Sequence, residues 1–366
     1  MALKFTFVYA YRDRDVDRVN LSLLSLEKQE RKNFEVQFID YGSNSKYANL
    51  VKDIVGRYSF ASYHYIAHEG LLWNKSKAIN YGFLKAKTEF VFISDVDILF
   101  DSGFTKTLVN VAKLDQFALF KIGYLGRETD SENIKNKTFK LLKPTHYGDT
   151  FGVGLFPKSG LKKVKGLDTF FHFYGSEDED LNQRLIVAGY KLYRYEKPLL
   201  LHQWHPRYPQ RAKEKLTVTP RLYNIQRINQ RHYLWHKYQS VIVPSGNVGW
   251  NQVFLKDDFT ILENSERTYN LDNVKAKVIH VLDHELLTYE GQVVTIIFEE
   301  SPYYRTFKYR VKCVLNKQTQ PYISMKEIND LILQRIVFKY RHYNYAYKVA
   351  SNLEKITFSI DLRKPL

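Results

Sequence analysis

Phe90-Val91-Phe92-Ile93-Ser94-Asp95-Val96-Asp97-Ile98-Leu99-Phe100 is the stretch whose reading decides the fold. Phe90 to Ile93 is a run of apolar, β-prone side chains, as a buried strand requires. Ser94 ends the run, and two carboxylates follow with one residue between them. A fully buried strand has no use for Asp95 and Asp97 along its length, because an unpaired buried carboxylate is strongly destabilising. At the carboxyl end of a strand in an α/β sheet, the same residues face the crevice where ligands bind. There they hold a divalent cation, and a cation holds a diphosphate. Asp-x-Asp is short and common, and alone it reads more simply as a strand followed by an acidic turn.

Upstream, Lys4 to Tyr9 predicts a first strand, followed by the polar loop Ala10 to Asp15. Val16 to Gln29 has the apolar spacing of an amphipathic helix, with Asp13 or Asp15 as its cap. Phe34 to Asp40 predicts a second strand closed by a turn, Tyr47 to Tyr58 a helix, Ser62 to Ala67 a strand and Asn74 to Ala86 a helix. Strand and helix in strict alternation predict a mostly parallel sheet with helices on both faces. Downstream, Phe104 to Leu114 predicts a helix, and Phe117 to Ile122 and Phe151 to Phe156 predict strands. The two glycines of the last strand let backbone approach a ligand closely. Residues 126–150 are polar, rich in lysine and without apolar period, as a mobile surface loop is. Leu181 to Ala188 predicts a short helix behind a run of acids, Arg207 to Lys215 is basic, and Asn224 to Tyr238 predicts a helix. These elements form one domain over residues 1–255. Residues 256–366 read as a smaller α+β appendage without a catalytic motif: strands at Val278 to Leu282, Val293 to Phe298, Phe307 to Leu315 and Ile356 to Leu362, and a helix at Met325 to Tyr340.

The charge is uneven. The chain carries +16, with 17 Lys/Arg against 14 Asp/Glu in residues 256–366 and 38 against 25 in the rest. Such a surface attracts nucleotide phosphates and acidic lipid headgroups. No helix-turn-helix, zinc-finger or RNP-like pattern accompanies it, so nucleic acid is not an expected partner. The start lacks the pattern of a signal peptide, and no apolar run reaches the ~18 residues of a membrane span. Cys313 stands alone, which rules out an intrachain disulfide and suits a reducing cytoplasm.

Two further stretches carry chemistry. Tyr174-Gly175-Ser176-Glu177-Asp178-Glu179-Asp180 puts four acids at a helix start, which the helix dipole favours by itself. It also suits a carboxylate that takes a proton from an attacking hydroxyl. His202-Gln203-Trp204-His205 offers two imidazoles to one metal from an extended segment, or one surface and one packed histidine.

Taken in order, these stretches resemble the GT-A glycosyltransferases, and among them the β-1,4-galactosyltransferase and chondroitin-polymerase-like group. The most specific part is Trp73-Asn74-Lys75-Ser76-Lys77-Ala78-Ile79-Asn80-Tyr81-Gly82-Phe83, similar to the group's Phe-Asn-Arg-Ala-Lys-Leu-Leu-Asn-Val-Gly-Phe. Asp95-Val96-Asp97 follows at the group's spacing. Gly175 to Asp180 resembles its Gly-Gly-Glu-Asp-Asp-Asp, and Tyr11-Arg12-Asp13-Arg14 its Phe-Arg-Asn-Arg. The similarity runs from about Phe5 to Trp250 and implies a Rossmann-like GT-A domain. It implies an inverting transferase that uses Mn²⁺ or Mg²⁺ to move a hexose or N-acetylhexosamine from a UDP-sugar to a saccharide hydroxyl. By the same resemblance, Tyr11, Arg12 and Arg14 lie against uridine and its phosphates, and Trp73 and Lys75 flank the base. Asp40 sits against uracil, and Asp95 serves ribose or donor sugar. Asp97 and His205, with His202, ligate the metal. Asp178 is the catalytic base, with Glu177, Glu179 and Tyr174 toward the acceptor.

Departures fall on the sugar pockets. Val153 interrupts a Gly-Gly pair, Ser176 replaces a glycine, and Phe171-His172-Phe173-Tyr174 replaces a tryptophan-rich run. Donor, acceptor and linkage therefore stay open. The absence of the disulfides and membrane anchor of the group's vertebrate members implies a bacterial cytoplasmic enzyme of surface polysaccharide synthesis. Its acceptor is then a saccharide or lipid-linked saccharide, with the basic face resting on an anionic inner leaflet. Two other readings share the fold: a catalytically silent carbohydrate-binding scaffold, and a nucleotidyltransferase. The latter lacks its glycine-rich loop after the first strand.

Overall fold

In the computed structural model, residues 4–206, 215–245, 250–363 and 365 are described. Of the basic stretch Arg207 to Lys215, all but Lys215 lies outside them. Apolar strands and side-chain-capped helices alternate through the first part of the chain: β1 (Phe5–Tyr11), α1 (Val16–Glu27), β2 (Phe34–Tyr41), α2 (Ser45–Val55), β3 (Ala61–Ile66), α3 (Lys75–Lys85) and β4 (Phe90–Ser94). Asp15 caps α1 by accepting from the backbone N–H of Asp17 and Arg18 at 2.9 and 3.2 Å. Asn44 and Asn74 cap α2 and α3 in the same way. The helices supply the long crossovers that parallel pairing needs, and the strands lie parallel in the order β3-β2-β1-β4.

β5 (Ile98–Phe100), α4 (Phe104–Val111), β6 (Gln116–Tyr124), α5 (Ser131–Asn136), β7 (His146–Gly148), β8 (Gly154–Pro157), α6 (Lys158–Lys163), α7 (Glu177–Val187), β9 (Lys191–His202) and α8 (Ile225–Tyr238) follow. The sheet has nine strands in the order β3-β2-β1-β4-β8-β6-β9-β5, with β7 also on β6. β7 and β8 form one return run along β6, from Tyr124↔His146 to Ala118↔Leu155. Doubling back needs no crossover, so β8 enters antiparallel to both β4 and β6 and gives the sheet its mixed half. β9 is parallel to β6, with a bulge opposite Lys121. Among the described residues β5 pairs only with Leu200 to His202, so the first part of β9 pairs there on one edge alone.

Under the sheet Phe7, Phe92, Phe104 and Phe120 are fully buried, with ring centroids 5.0, 5.1 and 5.2 Å apart in sequence along that chain of contacts. Truncating one of them costs about 3–5 kcal/mol. This cluster fixes the end of β4, and with it Asp95 and Asp97. Residues 126–150, expected to be a mobile loop, carry α5 and β7 and bury Ile134 and Leu142 against Leu125 and Leu201. Isolated anchors of this kind leave no period to read. α7 begins at Glu177, so the acids form its first turn and do not precede the helix.

A second compact unit consists of Ala67–Leu72, Tyr208–Ile225 and Phe254–Leu366. Its elements are α9 (Asp258–Glu263), β10 (Arg267–Asp272), α10 (Lys275–His280), α11 (Leu286–Thr288), β11 (Val293–Glu299), α12 (Phe307–Val314), α13 (Met325–Arg335), β12 (Asn344–Val349) and β13 (Lys355–Asp361). They form a four-stranded sheet in the order β10-β11-β13-β12. α13 opens with a capping box between Ser324 and Glu327 and buries Ile328, Ile332 and Leu333. The α+β expectation holds, but two of its expected strands are helices: Val278 to Leu282 belongs to α10 and the turn after it, and Phe307 to Leu315 is α12. β-branched and aromatic content made both look extended.

Candidate active site

Four segments of the first unit converge at the carboxyl ends of β1 and β4: the loop after β1, the start of α3, the turn after β4 and the start of α7. In the turn after β4 Asp97 is 8% exposed, and its Oδ1 has no hydrogen-bond partner among the described residues. Around it stand His202 Nε2 at 3.6 Å from Oδ1, His205 Nε2 at 3.4 Å from Oδ2 and the Arg18 guanidinium at 3.8 Å. His205 Nδ1 lies 2.9 Å from the Pro206 carbonyl, which can only accept, so Nδ1 carries the proton. With Nδ1 turned to that carbonyl, Nε2 is the nitrogen that faces the Asp97 carboxylate, as a metal-ligating imidazole does. An unpartnered buried carboxylate oxygen and two imidazoles within 4.8 Å of one another fit a divalent cation such as Mn²⁺.

Asp95 faces the other way. Its carboxylate is 3.2 Å from Lys75 Nζ, which also stands 3.7 Å from Glu177 and 3.7 Å from Asp178. Lys75 therefore sits among three carboxylates, and the base-flanking position expected of it is not where it points in this structure. Burial works against its ammonium, but Asp178, Asp95 and Glu177 outweigh burial and hold it well above the usual lysine range. For Asp95, Lys75 and then His202 overcome burial and hold the carboxyl below its ordinary value. Asp178 goes the opposite way. Burial, with repulsion from Glu177 and Asp95, pushes its carboxyl up to about 7 against the pull of Lys75.

Backbone geometry sets Asp178 in place. Phe173, Gly175 and Ser176 all have left-handed φ, at 62°, 107° and 66°. Ser176 adopts this conformation where the resembling motif has glycine, and its Oγ donates to Glu179 at 3.1 Å. Glu177 accepts from the Gly175 N–H at 3.0 Å, and Tyr174 is 57% exposed. A Cβ on Gly152 would stand 2.2 Å from Asp178 Oδ2, so any side chain there would displace the Asp178 carboxylate. The close approach expected of this glycine pair is made by a carboxylate of the same chain. Below, Asp180 accepts from Arg184 at 2.7 Å and faces His236 Nδ1 at 2.6 Å, all three buried, while Arg184 donates on to Val164 and Gly166. This network pins α7 to α8.

Two expected contacts are closed. Tyr11 is buried against Phe38, and its hydroxyl donates to the Arg14 carbonyl at 2.8 Å, so it is a core residue that shapes the loop. Asp40 is fully buried and accepts from the Ser43 N–H at 3.0 Å and the Tyr63 hydroxyl at 2.8 Å. Both residues end apolar strands, and the strand register carries them inward. Arg12 and Arg14 extend from the loop, and Trp73 meets Tyr41 edge-on at 5.9 Å. Arg18 and His236 were not found by the sequence reading. For Arg18 the available signal was its place in the first turn after the Asp15 cap, which aims it toward the ends of the strands.

Residues 8–171 match the family described as "Glycosyl transferase family 2". Among solved structures, the chain is similar at 15% identity to residues 1–349 of S. aureus TarS in complex with UDP-GlcNAc, over 65% of this chain and 70% of that one, with a TM-score of 0.44. It is also similar at 15% identity to the mannosyltransferase PcManGT from Pyrobaculum calidifontis in complex with GDP-Man and Mn²⁺, over 66% and 65%, with a TM-score of 0.42. For a further structure of S. aureus TarS 1–349 the identity is 15% over 55% of this chain and 60% of that one, with a TM-score of 0.42, so the chain spans less than two thirds of that relative.

Proposed function

We propose, from the match of residues 8–171 to glycosyl transferase family 2, an inverting, metal-dependent transferase that moves a hexose or N-acetylhexosamine from a UDP-sugar to a saccharide hydroxyl. The observation that carries this reading is the buried Asp97 carboxylate, which faces one imidazole from each oxygen and whose Oδ1 has no hydrogen-bond partner among the described residues. Asp97, His202 and His205 hold the cation. When bound, Mn²⁺ or Mg²⁺ supplies positive charge that stabilises the leaving diphosphate. Arg12, Arg14 and Arg18 add to that charge from the loop and α1. Trp73 borders the nucleobase, Asp95 serves the donor sugar, and Lys75 ties the two acidic turns together. Tyr11 and Asp40 act indirectly, by shaping the turns that carry their neighbours.

Asp178 is the base. A carboxyl with a pKa near working pH is matched to taking a proton from a hydroxyl as that oxygen attacks the anomeric carbon. The bond to the diphosphate breaks with its electron pair leaving on UDP, and the proton rests on Asp178. Tyr174 offers an exposed ring for an acceptor sugar, and Glu177 and Glu179 lie beside its hydroxyls. Residues 1–255 form the transferase domain in this reading, and residues 256–366 an appendage. A bacterial surface polysaccharide on a lipid-linked acceptor, made at an anionic inner leaflet, belongs to the same proposal. Its support is the net charge of +16. Among the described residues no helix is long and apolar enough to cross a membrane.

The test is UDP release from a panel of UDP-sugars with saccharide acceptors and Mn²⁺. Wild type is expected to turn over, and Asp97→Ala and Asp178→Asn to be silent. Equal release from Asp97→Ala would remove the cation site, and full activity in Asp178→Asn would remove the base.

A further inference from the structure

α12 buries none of its residues. Phe307 is 80% exposed, Val314 84%, Leu315 57% and Val311 36%. At about 100° per residue these four fall within an arc of about 100° on one side of the helix. The opposite side is what fixes the helix to its own unit. Tyr309 packs into Tyr303, Tyr304 and Tyr322 with ring centroids 5.8, 5.4 and 5.3 Å away, and Thr306 caps the first turn. The helix is thus held with its apolar side outward.

The charge beside that side identifies what covers it. Phe307 to Lys317 contains Lys308, Arg310, Lys312 and Lys317 and no acid, within a segment of the chain that is otherwise nearly balanced. Lys308 and Arg310 border the apolar arc on its two sides. A second copy of this chain would bring the same cations against them, so self-association through this face is opposed by charge. Apolar side chains flanked by cations match a bilayer with anionic headgroups: rings and aliphatic groups enter the acyl boundary while ammonium groups meet phosphates. We propose that α12 is the element by which this protein rests on an anionic lipid surface. The inference rests on the membrane contact proposed above and gives it an address. It makes no use of the catalytic assignments.

The experiment is co-sedimentation of the full chain with vesicles of phosphatidylcholine alone and of phosphatidylcholine mixed with phosphatidylglycerol. Three proteins are compared: wild type, Phe307→Ser with Val314→Ser, and Lys308→Glu with Lys312→Glu. All four positions are partly or fully exposed, so the fold is expected to persist, with an unchanged far-UV spectrum. Wild type is expected to bind the anionic vesicles only, and each double variant to bind them at least about tenfold more weakly. Turnover on a soluble acceptor should stay unchanged. If the variants bind anionic vesicles as wild type does, α12 is not the contact, although a membrane contact elsewhere survives. If wild type binds neither vesicle, the inference and the membrane part of the proposed function both fall, while glycosyl transfer is judged by UDP release. If the variants instead lower the sedimenting mass of the lipid-free protein, a second copy covers the helix and the inference is overturned.

Discussion

At the end of β4, Asp97 faces two imidazoles and a guanidinium at 3.4–3.8 Å and still has an oxygen without a hydrogen bond among the described residues. At the start of α7, Asp178 faces a single ammonium at 3.7 Å and shares it with Glu177 and Asp95. One turn leaves a carboxylate oxygen and two imidazoles turned toward one another, the arrangement proposed above to hold a cation. The other is a crowd of carboxylates with too little positive charge, in which one acid is left ready to take a proton. The difference shows that an acidic motif has no fixed chemistry. Neighbours contributed from distant parts of the chain decide whether a carboxylate ligates or accepts a proton.

The comparison breaks most visibly at Asp178. Asp178→Asn is expected to lower kcat by about 10²–10⁴-fold while Mn²⁺ affinity, followed by titration calorimetry, stays as in wild type. Asp97→Ala reverses the pattern: calorimetric Mn²⁺ binding is lost and turnover falls by about 100-fold or more, as it should in wild type treated with a chelator. Gly152→Ala sharpens the contrast without touching a charge. The added methyl displaces Asp178, and kcat is expected to drop about 10- to 100-fold with the cation site intact. Lys75→Gln acts through pH. The base works ionised, so activity rises as pH passes through its pKa. Removing the ammonium removes the interaction that favours ionisation. The acidic limb of the kcat profile should then move upward from about 7, with a several-fold loss at neutral pH that more alkaline buffer restores. His236→Ala removes the buried imidazole facing Asp180 Oδ1 and leaves Arg184 as the remaining partner, and urea unfolding should show a loss of about 1–3 kcal/mol. A stability unchanged by that substitution would mean that α7 is placed by its backbone alone.

The parallel half of the sheet was readable because each element announced itself locally, through apolar strands, Asp15, Asn44 and Asn74 as caps, and helices of amphipathic period. β9 was not. Its first part pairs only with β6 and is largely exposed, so Lys191, Arg194, Glu196, Lys197 and Pro198 gave it the composition of a loop. α12 misled in the other direction. Phe307, Tyr309, Val311 and Cys313 alternate with Lys308, Arg310 and Lys312, a period of two that here wraps around a helix. The helical spacing of Phe307, Val311, Val314 and Leu315 runs alongside that alternation, so the stretch supports both readings. At the site, local motifs marked the acids and histidines. Lys75 among three carboxylates and Gly152 beneath Asp178 depend on contacts across α3, β8 and α7, which no local spacing encodes.

The half-paired strand β9 bears on how the protein survives at high concentration. An open edge of a sheet is a template on which a strand of a second molecule can add, and growth from such an edge leads to aggregates. Here Lys191 and Lys197 place charge along that edge, and Pro198, in the bulge opposite Lys121, removes a backbone donor. The residues that hid this strand from the sequence reading are those that keep it from recruiting another chain.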